Sequence, residues 1–100
     1  MKKIPQSLQG ILWSKNVRKL CLNADKPYIV HQILRYGQLK DIRWLLKTYG
    51  INAVKREFKE KPQRIYTKPG FHFIKEFVLK LRDPYVKEER YIEAPPRFYD

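Results

Sequence analysis

Apolar residues recur at three- and four-residue steps through much of the chain, most regularly at its centre. Between Tyr36 and Gly50, the side chains Leu39, Ile42, Leu45, Leu46 and Tyr49 share one side of a helix advancing roughly 100° per residue. Tyr-Gly pairs stand at both ends of this stretch, and each glycine suits the left-handed turn that closes a helix. Lys40, Arg43 and Lys47 fall on the opposite side, with Trp44 beside them. Trp44 has two readings. Burial frequencies favour a central helix packed on two sides; the alternative is an exposed aromatic among cations that touches a partner.

The same pattern places further helices on either side. Pro5 to Trp13 predicts a short first helix with Leu8, Ile11 and Leu12 together, weakened by Gly10, and with Trp13 docked on the core. Ser14 to Asn23 reads as a brief extended segment or bent turn. Asp25 is placed as an N-cap and Pro27 in the first turn, where its missing N–H costs nothing. The helix they open runs to Tyr36, with Ile29, Val30, Ile33, Leu34 and Tyr36 inside and His31, Gln32 and Arg35 outside. After Gly50, Asn52 caps a helix reaching about Lys61. Ala53, Val54 and Phe58 face in; Lys55, Arg56 and Lys59 face out. Pro62 stops it. Thr67 or Pro69 opens a last helix from Gly70 to about Arg82, with Phe73, Ile74, Phe77, Val78 and Leu81 on one stripe.

Pro84 and the Pro95-Pro96 pair exclude a long helix beyond that point, so residues 84–100 are expected as an extended tail. The tail carries four aromatics, Tyr85, Tyr91, Phe98 and Tyr99, more than a solubilising tail needs. Together with Trp44 they are the candidate partner-binding residues. A tail strapped back over a thin core, with Tyr91, Phe98 and Tyr99 filling gaps, is the alternative. The expected architecture is all-α: a small bundle of four to five short helices over residues 1–83, with the tail at 84–100.

Charge changes the picture most. The net charge is +12, but residues 1–82 hold 19 Lys/Arg against 5 Asp/Glu, while residues 83–100 hold 3 against 5. A basic body attracts a phosphate backbone or an acidic protein surface. Lys40, Arg43, Lys47, Lys55, Arg56 and Lys59 are the candidate residues for either. Ile42 to Phe58 resembles a helix-turn-helix, though Arg56 and Lys59 stand where apolar side chains would lock the second helix. The competing reading is three bundle helices whose polar faces are basic.

Other chemistry finds little footing. His31 and His72 lack carboxylate partners at motif spacing, and the four glycines form no phosphate loop. The single cysteine, Cys21, forms no internal disulfide, has no metal-ligand spacing around it and fits a cytoplasmic protein. No apolar run approaches the roughly 20 residues of a membrane span, and Ile4-Pro5-Gln6-Ser7 is no signal-peptide core. The expectation is a protein that is not an enzyme, with no cofactor, no metal and no membrane partner.

Leu12-Trp13, His31-Gln32-Ile33-Leu34-Arg35-Tyr36-Gly37, Asp41 to Gly50 and Tyr66-Thr67-Lys68…Phe73 together resemble a family of small prokaryotic proteins of unknown function. The resemblance covers about residues 8–81. Ser14 stands where that family tends to have aspartate, and Phe73-Ile74 replaces its Phe-Trp. Members are often encoded beside minimal nucleotidyltransferases of the abortive-infection toxin type. The resemblance therefore implies an antitoxin or accessory protein that binds such a toxin, and assigns no catalytic residue. The leading expectation is an antitoxin-like protein that binds its toxin and also operator DNA. The alternatives are a stand-alone DNA- or RNA-binding protein and a structural subunit of a larger assembly.

Overall fold

Between Asp25 and Lys61 the chain makes three helices in quick succession: α1 (Lys26–Tyr36), α2 (Leu39–Tyr49) and α3 (Ile51–Glu60). The computed structural model that shows them describes residues 4–81 and 86–93. It divides the chain into two units, residues 1–61 and 62–100. The boundary expected after residue 83 lies outside the described residues. The fold is all-α, with no strand longer than a single bridge among the described residues.

The three helices of the first unit pack on one another pairwise. Their shared core is Ile29, Val30, Ile33 and Leu34 from α1, Ile42 and Leu45 from α2, and Val54 and Phe58 from α3, all buried. Each such side chain contributes about 1.5–3 kcal/mol relative to exposure. The joints are short because their residues are specialised. Gly37 has ordinary backbone angles (φ −75°, ψ 158°), not the expected left-handed ones. It is glycine because an added Cβ would lie 2.6 Å from the Ile33 carbonyl oxygen. Gln38 and Asp41 then form a reciprocal cap on α2, the Gln38 backbone N–H donating to Asp41 Oδ2 at 2.8 Å. Gly50 does take the left-handed angle, φ 87°, and alone joins α2 to α3. It occupies the cap position expected of Asn52, which lies inside α3.

Several side chains depart from the one-stripe expectation. His31 and Gln32, expected outside, are buried because α3 covers a second face of α1. Tyr36 and Leu39, expected inside, are 42% and 66% exposed, since both stand in the terminal turns beside Gly37 where each helix ends. Asp25 holds the N-cap position, yet its Oδ2 accepts from the Cys21 backbone N–H at 2.8 Å and caps nothing. It ties down the preceding turn instead.

Before α1, the expected first helix is a 3₁₀ turn, Gln6–Gly10, followed by a second one, Val17–Lys19. Leu8, Leu12 and Val17 reach the core, whereas Trp13 is 55% exposed and does not dock as expected. Beyond the turn, the Leu12 N–H donates to the Leu8 carbonyl four residues back at 2.8 Å, and Leu12 is buried in place of its neighbour. Tyr49 of α2 fastens this region by donating its hydroxyl to the Leu22 carbonyl at 2.7 Å. Partial burial pushes that phenol up to about 12, so the bond persists through the neutral range.

In the second unit, Thr67 caps α4 (Lys68–Phe73), its Oγ1 accepting from the Gly70 N–H at 3.2 Å. The helix then widens into a π turn, Ile74–Val78, with Leu79 donating to the Ile74 carbonyl five residues back. The extra residue rotates everything that follows. Ile74 and Leu79 are buried, while Phe73 and Phe77 of the expected stripe are 43% and 69% exposed. The helix ends at Val78, short of the expected end near Arg82, and Lys80 just beyond it takes a positive φ of 51°. Farther on, Glu88–Arg90 forms a 3₁₀ turn, and Tyr66 pairs with Ile92 in a parallel bridge. Its bonds run from Tyr66 N–H to the Tyr91 carbonyl and from Glu93 N–H to the Tyr66 carbonyl, both 2.9 Å.

Candidate nucleic-acid interface

The cationic side chains of α2 and α3 recur at helical spacing. Lys40, Arg43 and Lys47 are exposed on one side of α2; on α3, Arg56 and Lys59 are exposed and Lys55 is half-buried. Both helices can present this much charge because Val54 and Phe58 anchor α3 from its other side. Arg56 and Lys59 therefore displace nothing from the core, against the expectation that they weaken its seating. The joint departs from a helix-turn-helix in another way: Gly50 alone replaces a turn of about three to four residues.

Of the four acidic residues of the first unit, Asp41 and Glu57 are buried, Asp25 is half-buried and Glu60 is exposed. Residues 1–61 carry 14 Lys/Arg against 4 Asp/Glu, a balance of +10. Asp41 is spent on the α2 cap, and Asp25 on Cys21 and on Lys15 at 3.5 Å. The Cys21 N–H holds the Asp25 carboxyl below its ordinary 3.8. Glu57 is buried; its Oε2 lies 3.7 Å from Lys61 Nζ, an ion-pair distance too long for a hydrogen bond. Among the described residues, no carboxylate lies in ion-pair range of Lys40, Arg43, Lys47 or Arg56. Cations left this way present an uncompensated field to a polyanion.

Residues 8–58 match the family of unknown function DUF6922. The chain belongs to that family. Comparison with curated proteins and with solved structures finds no match. The matched span of this DUF6922 protein lies inside the first unit and contains Trp44 and five of the six candidate cations, ending one residue before Lys59. No helix among the described residues is long and apolar enough to cross a membrane. Nor does any group of three or more His, Cys, Asp or Glu side chains among them come together to hold a metal ion.

The candidate partner residues scatter. Trp44 is half-buried, between its two expected extremes. Tyr91 is 1% exposed, so a docking role is corrected: its ring stacks on Phe71 at 5.0 Å and lies 6.2 Å from Tyr66. The strapped alternative describes this residue. Tyr85, Phe98 and Tyr99 lie outside the described residues. Exposed rings absent from the sequence-based set are Trp13 and Tyr36 in the first unit and Phe73 and Phe77 in the second, all expected inside.

His31 gives the unit a pH dependence. Its Nε2 lies 2.6 Å from the Lys61 carbonyl, which can only accept, so the neutral ring carries its proton on Nε2. Burial depresses its pKa below 6.5, against the opposing pull of Lys61 and Glu57. A depressed base is neutral in the fold but takes up a proton when unfolded. Stability is therefore complete above about pH 6.5 and falls as pH drops from there towards the depressed value. Melting temperatures between pH 7.5 and 5 are expected to fall in the native protein and to fall less in His31→Gln. Equal slopes would assign the acid sensitivity elsewhere.

Proposed function

We propose that this protein is a non-enzymatic, antitoxin-type binding protein. It holds a nucleic-acid backbone with the cations of α2 and α3 and docks on a partner toxin of the nucleotidyltransferase type. The observation carrying the nucleic-acid half is the charge arrangement. Lys40, Arg43, Lys47, Arg56 and Lys59 are exposed on two packed helices, while Asp25, Asp41 and Glu57 are committed to the fold. Side chains of this kind contact phosphates and set position without reading bases. Binding of labelled oligonucleotides is expected to be measurable at low salt, with log K falling by about 0.9 per phosphate contact on duplex DNA. Absence of binding at low ionic strength removes this half.

The toxin half is supported by the family resemblance of the central motif and the neighbours such proteins tend to have. Its test is co-expression with a nucleotidyltransferase encoded next to this protein. Co-purification and relief of toxicity are expected. Failure of both leaves a stand-alone nucleic-acid-binding protein.

A further inference from the structure

Trp13, Tyr36 and Arg35 form a small aromatic platform on the first unit. The rings of Trp13 and Tyr36 meet edge-to-face with centroids 4.6 Å apart, and the Arg35 guanidinium lies 4.5 Å from the Tyr36 ring centre. Trp13 nevertheless remains 55% exposed and Tyr36 42%. The platform is held from beneath. Leu12, next to Trp13, is fully buried, and Gln9 braces the turn on both sides of it. Gln9 Nε2 donates to the carbonyls of Leu12 at 3.0 Å and Lys15 at 2.8 Å, while its Oε1 accepts from the Val17 N–H at 3.0 Å. Tyr36 sits in the last turn of α1, close in sequence to Lys40 at the start of α2.

We infer that this platform binds single-stranded nucleic acid by stacking an unpaired base on Trp13, with Lys40 taking an adjoining phosphate. The inference rests on the nucleic-acid half of the function proposed above and names the form of nucleic acid. Two properties select the occupant. A unit with a balance of +10 and exposed cations draws a polyanion in preference to a neutral apolar surface. Exposed aromatic rings interleaved with cations then favour a strand whose bases are unpaired, because a duplex hides its base faces within the stack. A ring held by a braced turn loses little freedom when a base lies on it, so more of the stacking is retained as affinity.

The test compares a 12-nucleotide thymidine homopolymer with a 12-base-pair duplex by fluorescence anisotropy, using native protein, Trp13→Ala, Trp13→Phe and the triple variant Lys55→Ala/Arg56→Ala/Lys59→Ala. Trp13→Ala is expected to weaken single-strand binding on the order of ten-fold and leave duplex binding unchanged. Trp13→Phe, which keeps a ring, is expected to retain most of it. Unchanged single-strand affinity in Trp13→Ala overturns the platform and leaves the ring for a protein partner. Equal losses on both ligands also overturn it, as does native protein that binds only duplex, although the nucleic-acid reading survives in each case. Native protein that binds neither ligand at low salt overturns both. The triple variant separates them, since it should lose affinity for both ligands whether or not Trp13 stacks.

Discussion

Replacing Lys40, Arg43, Lys47, Lys55, Arg56 and Lys59 together by alanine is expected to abolish most of the salt dependence of DNA binding. If all six neutralise phosphates, the slope of log K against log salt becomes shallower by about 5, at about 0.9 per contact. Proteins with six to ten such contacts lose roughly 10³–10⁵ in affinity between 50 and 200 mM salt, so little binding should survive in the variant. The fold should tolerate the change. Five of the six side chains are exposed, and surface substitutions usually stay within about 0.5 kcal/mol. Alanine is also the best helix former, and removing like charges relieves self-repulsion. Anisotropy titrations at four or five salt concentrations, beside thermal melts of the same samples, give the answer. A variant that melts normally and keeps the native slope would show that the contacts lie elsewhere.

Truncating Tyr91 to alanine should have the largest effect on stability. The ring is 1% exposed and stacked on Phe71, which is itself fully buried, with Tyr66 beside them. Removing a buried aromatic side chain costs about 3–5 kcal/mol. That is a large fraction of the roughly 5–15 kcal/mol available to a whole protein domain. The same residue supplies the carbonyl that accepts from Tyr66, so loosening it also threatens the bridge to Ile92. Hydrogen exchange read over residues 62–93 is expected to lose protection around Tyr66 and Phe71. Tyr91→Phe keeps the ring and its stack on Phe71, and should lose less than Tyr91→Ala. Unchanged exchange in Tyr91→Ala would mean that the ring is free for a partner after all.

The local rules of the chain were enough for the three α-helices of the first unit, though not for the 3₁₀ turns before them. A 3.6-residue apolar period, Pro27 in an opening turn, and Gly37 and Gly50 at the joints specify α1, α2 and α3 from interactions within a few residues. The outward direction of Lys40, Arg43, Lys47, Arg56 and Lys59 follows from the same period, because each helix has one strong apolar stripe and these positions lie off it. What the period cannot report is whether a second face is covered, and by what. His31 is buried because the end of α3, thirty residues away, lays a backbone carbonyl against its ring. Tyr91 is buried because Tyr66 and Phe71 come to meet it across a bridge between distant segments. Trp13 is exposed although tryptophan is usually much buried, because the segment braced by Gln9 buries its neighbour Leu12 instead. The register beyond Ile74 belongs to the same class, because one extra residue in a π turn rotates every later side chain. Local propensity chooses the elements and the charge on them; contacts between remote segments choose which polar faces disappear and which rings remain outside.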